Sequence, residues 1–380
     1  MLRLAYYTEV NLRNNDGPAI NELEFVNSLQ SYFDNPVIFL NESNREALST
    51  ESGVNFYKKP SRVSNLLEYW TVFKKINKHI RLSNINILVV RVTDFPVVVV
   101  LLKLFNPHLK IYVKTASLWW EGRVGAANFK DVLYLRVSDI LKKIVYRVSA
   151  GIDVAMLETK NELLRLGLVA EKKIISVDNA INTKIFIPNR KRRKETKKIV
   201  LGFAGGFPSF RGVSQMLKVG ERLLGKYGIN IKIIGDDKNL KKLMATSNFP
   251  AERIMCLGKI QYSKVAQNIE DMTVCYSFFE DWAVRKTGNA SQKVKHYISM
   301  GKPVISVNIG HQYLVDNDLG SAVDQNDIDE ITQETEKWIK RVQDEGKLLR
   351  DRLHAYACEH LSTQKTFQQR LEFWKYLLEK

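Results

Sequence analysis

The sequence predicts an α/β fold with two domains, each built on a doubly wound parallel sheet. Short runs rich in β-branched residues alternate with longer amphipathic runs, and the alternation starts again after a basic segment at 188–198. Such alternation is typical of parallel sheets that carry helices on their faces. The length of 380 residues suits two domains. A hydrophobic content of 45% is enough to fill their cores, which excludes a disordered, collagen-like or disulfide-based protein.

In the first half, the apolar run at 2–8 predicts a strand, and turn-forming residues at 14–18 follow it. Apolar residues then recur at helical spacing from Ile20 to Phe33, which predicts a helix over 19–33. Further strands are predicted over 36–40, 85–92, 110–114, 154–158 and 173–177. Further helices are predicted over 66–81, 97–105, 130–150 and 160–166.

In the second half, the run at 198–204 predicts a strand that leads into a Gly205-Gly206 turn, and a helix over 213–226 follows. Further strands are predicted over 229–235, 253–257, 272–277 and 303–307. Further helices are predicted over 240–247, 262–269, 291–300, 327–345, 347–361 and 365–380.

The segment 188–198 separates the two series of strands and helices. It is rich in Lys and Arg and has no residue suited to a core. We interpret it as an interdomain linker, in preference to a nucleic-acid-binding patch. The N-terminal domain then covers 1–187 and the C-terminal domain 199–362.

The charge of the chain points to acidic partners. Lys and Arg number 58 and Asp and Glu 41, which gives a net charge of +17. Nucleic acid, an anionic membrane surface and phosphate-bearing substrates all suit this excess. The three cysteines form no C-x-x-C pair and suit reduced thiols in the cytosol. We expect no signal peptide, and the apolar stretch at 95–102 is too short to span a bilayer.

Ligands of open parallel sheets bind beyond the carboxyl ends of the strands, so the loops after predicted strands are candidate sites. One such loop runs from Gly205 to Gly212 and contains Gly206 and Arg211. Glycines let the backbone approach a phosphate, and an Arg can hold a pyrophosphate through two parallel hydrogen bonds. By itself the loop fits a plain strand–helix turn equally well.

The stretch 288–305 is the stronger candidate. Ser291 is suited to cap the predicted helix, and Lys293 lies in its first turn, where its ammonium and the helix N–H groups would converge on an anion. Gly301 then ends the helix before a buried strand. A capped helix with a solvated lysine would explain Ser291 and Lys293 separately. It would not explain why the sequence Gly-Lys-Pro-Val-Ile follows the same helix.

The stretch 293–305 resembles the K-x-x-E-Y-x-x-x-G-K-P-V-I stretch of GT-B-fold glycosyltransferases, particularly those of glycosyltransferase family 4. The segment 177–188 resembles that family's P-N-G-V-D-x-x-x-F-x-P segment, and 203–213 resembles its G-R-L…K-G-V motif. The segment 15–22 resembles its first Gly-rich loop, which faces the acceptor. The last helix, over 363–380, resembles the segment that returns to the first domain in this fold.

The resemblance implies the GT-B architecture, in which two Rossmann-like domains face a cleft. It also implies retaining transfer of a sugar from a nucleotide-sugar donor to a glycan or lipid-linked acceptor, in the biosynthesis of cell-surface polysaccharide or glycolipid. The donor would bind mainly to the second domain. Basic side chains and a helix N-terminus would neutralise the departing nucleoside diphosphate, so neither a metal nor a cofactor is expected.

The resemblance also implies roles for particular residues. The expected catalytic residues are Arg211, Lys293 and Glu280. The expected donor-binding residues are Gly205, Gly206, Gly235, Asn289, Ser291 and His296. The expected acceptor-side residues are Asp16, Gly17, Arg91 and Thr115.

The sequence departs from the family pattern at several of these positions. The family often has a pair of glutamates, and here Gly288 and His296 stand in their places. The second of these glutamates often holds the nucleotide ribose. His296 is therefore either a hydrogen-bonding replacement for it or an ordinary surface histidine. Gly206 replaces the arginine of the G-R-L motif, which leaves Arg211 as the main basic group of that loop.

Two other functions stay open. A catalytically degenerate module that binds a nucleotide sugar would explain Gly288 and His296. A GT-B-fold nucleotide-sugar epimerase would need acid and base groups at its site. The lack of histidine in the loops after the first-domain strands argues against the epimerase.

Basic residues occur near tryptophans in the predicted first domain. The tryptophans are Trp119 and Trp120. The basic residues are Lys103, Lys110, Lys114, Arg123, Lys130, Arg136, Lys142, Lys143 and Arg147. This combination suits an anionic lipid interface, which favours a cytoplasmic protein lying peripherally on the inner face of the membrane. In the alternative, the lysines only keep the protein soluble and the apolar residues of the helix are core: Val132, Leu135, Ile140, Ile144 and Val148. We find no zinc-finger, KH or RNP-like motif and expect no nucleic-acid partner.

Overall fold

The computed structural model describes residues 2–14, 17–48, 50–60, 66–91, 95–115, 129–189, 198–205, 212–235, 240–245, 247–279, 291–308 and 310–379, with side chains except at 129–134, 240 and 241. These residues form two compact units. The first contains the described residues up to Asp178 and those from Thr366 onwards. The second contains those from Asn179 to Lys365.

The first unit is built on a parallel sheet, whose described strands number seven and follow the order β3-β2-β1-β4-β5-β6-β7. The strands are β1 (Leu4–Tyr7), β2 (Val37–Asn41), β3 (Val54–Tyr57), β4 (Ile87–Arg91), β5 (Lys110–Thr115), β6 (Gly151–Val154) and β7 (Ile174–Ser176). The helices are α1 (Gly17–Tyr32), α2 (Leu66–Leu82), α3 (Val97–Phe105), α4 (Phe129–Val148) and α5 (Leu157–Arg165).

The second unit is built on another parallel sheet, whose described strands number six and follow the order β10-β9-β8-β11-β12-β13. The strands are β8 (Val200–Ala204), β9 (Asn230–Ile234), β10 (Ile254–Cys256), β11 (Val274–Ser277), β12 (Val304–Val307) and β13 (Gly320–Val323). The helices are α6 (Val213–Tyr227), α7 (Leu240–Met244), α8 (Tyr262–Ile269), α9 (Gln292–Ser299), α10 (Tyr313–Asp316), α11 (Ile328–Glu345) and α12 (Lys347–Tyr356). They are followed by α13 (Thr363–Glu379), which belongs to the first unit from Thr366 onwards.

The first sheet is buried on both faces. Strand β4 is buried at every position, as expected for a central parallel strand. Its side chains alternate between two cores: Ile87 and Val89 pack with α1 and α13, and Leu88 and Val90 pack with α2, α3, α4 and α5. The last helix of the sequence thus completes one face of the first unit.

The doubly wound α/β fold with two parallel sheets is confirmed, but two short strands were not predicted. β3 has four residues and includes Asn55, which is uncommon in strands. β13 has the sequence Gly-Ser-Ala-Val. It begins with a glycine because a Cβ at Gly320 would lie 2.0 Å from the carbonyl oxygen of Val304 on the neighbouring strand. The predicted strand at 154–158 was also misplaced, since β6 is Gly151–Val154 and α5 begins at Leu157.

The second unit begins before the predicted linker. Ile181 and Phe186 are fully buried in its core. The N–H of Ile181 donates to the carbonyl of Leu361 at 2.9 Å, and the N–H of Thr363 donates back to the carbonyl of Ile181 at 3.0 Å. Residues 190–197 of the predicted linker lie outside the described residues. In the described part of the chain, no helix combines the length and apolarity needed to cross a membrane.

Candidate functional site

The candidate site lies where the strand order of the second sheet reverses. β8 is the first strand of this sheet along the chain, with β9 on one side and β11 on the other. At such a point the loops after the two central strands diverge, which leaves a crevice at their carboxyl ends where ligands of open α/β sheets bind. The relevant residues are therefore those that follow β8 and β11.

The side chain of Lys293 reaches this point. Lys293 is the second residue of α9, and its side chain is buried. Its Nζ lies 4.1 Å from the ring centroid of Phe203, near the end of β8, and 5.2 Å from that of Phe279, just after β11. Both rings attract the ammonium through their negative faces. They hold a positive charge beside the carboxyl ends of β8 and β11.

Of the predicted donor-binding glycines, Gly205 lies next to Lys293, and Gly235 lies next to Gly205. A Cβ built on Gly205 would lie 3.2 Å from the Lys293 Nζ, so a glycine leaves room for the ammonium. The N–H of Gly205 donates to the carbonyl of Ile234 at 2.7 Å, which draws the end of β8 towards that of β9. Gly235 follows directly on β9. The structure therefore brings together Lys293, Gly205 and Gly235, three residues selected from the sequence.

Ser291 is the N-cap residue of α9, as predicted, but its side chain does not cap the helix within the described residues. Its backbone is extended, as an N-cap requires, yet within the described residues its hydroxyl makes no capping hydrogen bond. Its Oγ instead lies 3.3 Å from the Oγ of Ser277 at the end of β11. The N–H groups of the first turn of α9 are therefore not occupied by this side chain.

A serine–histidine pair at the end of β12 was not selected from the sequence. The Oγ of Ser306 donates to the carbonyl of Ser277 at 2.7 Å, and the Nδ1 of His311 lies 2.5 Å from the same Oγ. Because the serine hydrogen is used towards Ser277, Nδ1 of His311 is the donor in the second bond. Both side chains are buried. His311 could have been selected from the sequence, because it lies in a loop after a predicted strand.

His296 is not a surface histidine. Its ring stacks on that of Phe186 with centroids 4.2 Å apart and planes 6° from parallel, and its Nε2 lies 3.3 Å from the hydroxyl of Tyr262. Burial, together with the charge of Lys295, lowers the pKa of His296 to about 3. The ring is therefore neutral at physiological pH. Among the described residues, these contacts join His296 to the core and not to the group around Lys293.

Arg91, an expected acceptor-side residue, belongs to a buried charge cluster in the first unit. Its Nη1 donates to the Oε1 of Glu22 at 2.8 Å, and Lys114 and Tyr6 also donate to this carboxylate. Burial alone would raise the pKa of Glu22, but the charges of Lys114 and Arg91 outweigh it and lower that pKa. Burial lowers the pKa of Lys114 to about 8, with Glu22 opposing the shift.

The other acceptor-side residues are placed as follows. Gly17 is the first residue of α1, and the Oγ1 of Thr115, at the end of β5, accepts a hydrogen bond from Tyr146 at 3.2 Å. Five predicted site residues lie outside the described residues, and their roles stay predictions: Asp16, Gly206, Arg211, Glu280 and Asn289.

No protein-family model and no curated protein sequence matches the chain. Solved structures resemble it over nearly the full length of both chains. A glycosyltransferase from Rickettsia africae ESF-5 has a TM-score of 0.73 at 16% identity, over 99% of this chain and 98% of that one. HepE from Anabaena, solved with UDP and glucose, has a TM-score of 0.72 at 11% identity, over 99% and 100%.

A UDP-N-acetylglucosamine 2-epimerase resembles the chain less closely, with a TM-score of 0.57 at 10% identity, over 99% of this chain and 96% of that one. The chain has the GT-B fold, with two Rossmann-like domains.

Proposed function

We propose that the protein is a retaining glycosyltransferase that moves a sugar from a nucleotide-sugar donor to a glycan or lipid-linked acceptor, in cell-surface polysaccharide or glycolipid biosynthesis. The observation that carries the proposal is the position of the Lys293 ammonium. It lies beside Gly205 at the carboxyl ends of β8 and β11, the place where an open parallel sheet binds its ligand. A buried positive charge at that place suits a diphosphate.

The chemistry of the reaction explains why a cation is needed there. The bond between the anomeric carbon and the diphosphate oxygen breaks, and its electron pair stays on the diphosphate. A bond from that carbon to the acceptor oxygen forms, and the acceptor hydroxyl gives its proton to the departing diphosphate. Negative charge builds on the departing diphosphate, and a preorganised cation stabilises it most when water is excluded. Lys293 and the N-terminus of α9 supply positive charge at the same end of the sheet. We propose that this makes a metal unnecessary.

The remaining roles follow the resemblance of the sequence to glycosyltransferase family 4. Arg211 would add a second cation beside the diphosphate, and Gly205 and Gly206 would let the backbone approach it. Glu280 or Asn289 would contact the sugar. Retention at the anomeric carbon is part of the same proposal. The structure of HepE with UDP and glucose supports a nucleotide-sugar donor on this fold.

The proposal is tested by the effect of nucleotides on thermal unfolding. UDP, GDP, ADP, CMP and their common sugar conjugates are added to the wild type and to Lys293→Met. A ligand that binds only the folded protein adds about 2.7 kcal/mol at a concentration of 100 Kd. We expect one nucleotide to raise the melting temperature of the wild type and to lose this effect in Lys293→Met. Lys264→Ala, an exposed lysine of α8, is the control and should respond as the wild type does.

Methionine keeps most of the Lys293 side chain between Phe203 and Phe279, so the variant should fold. If no nucleotide shifts the wild type, or if Lys293→Met binds as tightly as the wild type, the donor site is not where we propose it. Binding without transfer to any acceptor and without donor hydrolysis would indicate a degenerate binding module instead.

An epimerase is the second candidate, because a UDP-N-acetylglucosamine 2-epimerase shares the fold over almost its whole length. The higher TM-scores of the glycosyltransferases favour transfer. Formation of an isomerised nucleotide sugar without any acceptor would decide for the epimerase.

A further inference from the structure

Helix α4 of the first unit carries an exposed row of apolar side chains. The row consists of Val137, Ile140, Ile144 and Val148, with 37%, 57%, 36% and 38% of their surface exposed, and we call it the α4 apolar stripe. The alternative interpretation, in which the apolar residues of this helix belong to the core, is therefore wrong for Ile140, Ile144 and Val148. The helix faces the core instead with Ser138, Lys142, Val145 and Tyr146.

The stripe is a continuous surface and not a set of scattered residues. At 100° per residue, its four side chains fall within an arc of about 80° on the helix, and they extend along roughly 16 Å of its axis. Single exposed apolar residues are normal on protein surfaces, whereas a contiguous row is typical of an interaction surface.

Basic side chains lie along one flank of this stripe. They are Arg136, Lys143 and Arg147, and we call them the α4 basic flank. On the same helical projection they fall within about 40° of one another, next to Ile140. Lys143 pairs with Asp139 at 2.8 Å, but both side chains are partly exposed, and such a pair leaves the lysine available to other anions.

We propose that α4 binds the surface of an anionic lipid bilayer, with the apolar stripe in the headgroup–acyl boundary and the basic flank on the lipid headgroups. An amphipathic helix with Lys and Arg beside its apolar face is the arrangement that binds such surfaces. The net charge of +17 adds long-range attraction to the same surface.

A second copy of this chain fits the stripe less well than a bilayer does. Antiparallel pairing of two α4 helices through their stripes would place both basic flanks on the same side of the pair, and like charges at an interface oppose association. An anionic bilayer satisfies both the stripe and the flank. This inference does not depend on the proposed sugar transfer, and the two can fail separately.

Sedimentation of the full chain with lipid vesicles tests the proposal. The vesicles contain phosphatidylcholine alone or with 30% phosphatidylglycerol. The wild type should bind the anionic vesicles at least tenfold more tightly than the neutral ones, and salt should weaken that binding. Ile140→Gln with Ile144→Gln leaves the charge unchanged and should weaken binding by about tenfold or more. Arg136→Gln with Arg147→Gln should weaken it by about twenty-five-fold, since each basic side chain contributes roughly fivefold.

The control is Met255→Gln with Leu348→Gln, which changes two exposed apolar residues of the second unit in the same way. It should bind vesicles as the wild type does. Equal binding to neutral and anionic vesicles, equal loss in the control and the stripe variant, or self-association that the stripe variant abolishes without vesicle binding by the wild type would each overturn the proposal. The nucleotide-induced shift in melting temperature should be the same in the stripe variant and the wild type.

Discussion

The carbonyl oxygen of Gly205 lies 1.8 Å from the point that a Cβ would occupy at Gly235, so no side chain fits there without moving the backbone. Both residues have a φ that other residues rarely adopt, 141° at Gly205 and 150° at Gly235. The N–H of Gly235 donates to the carbonyl of Gly258 at 2.9 Å. The ends of β8 and β9 therefore approach each other through backbone atoms alone. This approach positions the backbone of Gly205 beside Lys293 in the candidate site.

Gly235→Ala is expected to lower the free energy of unfolding by about 3 kcal/mol or more, because it combines a strained φ with a clash against backbone. It should also weaken the binding of the nucleotide that stabilises the wild type. Urea denaturation and the thermal shift measure the two effects. Gly225→Ala is the matched control: Gly225 lies exposed within α6 with open space around its Cβ position. It should gain roughly 0.5–1 kcal/mol.

His296 should make stability fall in acid. Its folded pKa of about 3 lies below the ordinary value of 6.5, so below pH 6.5 the unfolded chain takes up a proton that the folded chain does not. This histidine should therefore reduce the free energy of unfolding by about 2 kcal/mol between pH 7 and pH 5. In urea denaturation, the free energy of unfolding of His296→Asn should fall by about 2 kcal/mol less than that of the wild type over this pH range. His360→Asn, which changes an exposed histidine, should show the same fall as the wild type. Parallel pH profiles for His296→Asn and the wild type would contradict the assignment.

Lys114 should affect stability in the same direction as His296, but on the alkaline side. Its folded pKa of about 8 lies below its ordinary value of 10.5. Between these values the unfolded chain binds the extra proton, so the free energy of unfolding rises with pH through this residue. Compared with Lys114→Met, the wild type should gain roughly 2 kcal/mol between pH 8 and pH 10. Glu22→Gln should lower the pKa of Lys114 further, because Glu22 opposes the shift, and NMR of the lysine Cε can measure that pKa.

Arg370 should be required to hold α13 on the first sheet. Its Nε donates to the carboxylate of Asp153 on β6, and both side chains are buried. Arg370→Ala should cost about 3–5 kcal/mol, because it leaves the carboxylate buried without its cation. Asp153→Asn combined with Arg370→Met should recover part of this loss. Lys375→Ala, at an exposed position of the same helix, should change stability by less than about 0.5 kcal/mol in urea denaturation.

Local patterns were sufficient to predict most of the fold. The prediction located α2 to within one residue, apolar runs located the central strands, and α3 was placed correctly because a connection had to precede the next strand. The strands that were missed are short and contain residues that avoid strands, and they are specified by their neighbours. Gly320 is the clearest case, since its small size is required by the backbone of β12.

In the candidate site, too, local patterns predicted some residues and missed those that only the folded sheet brings together. Lys293 was predicted because its position in the first turn of a helix is a local property. The rings of Phe203 and Phe279, which hold its ammonium, were not selected from the sequence, because only the sheet brings the ends of β8 and β11 together. Arg91 was selected as an acceptor-side group, but its partner Glu22 is 69 residues away in sequence and no local pattern links them.

The place of α13 in the first unit has a consequence for the synthesis of the protein. Phe367, Trp374 and Leu377 fill the core against one face of the first sheet, and they are synthesised only after the whole second unit. Until then, the nascent first unit exposes an apolar sheet face while the whole second unit is being made. A chaperone that shields this face, or a protease that recognises it, would therefore distinguish chains that contain α13 from chains that lack it.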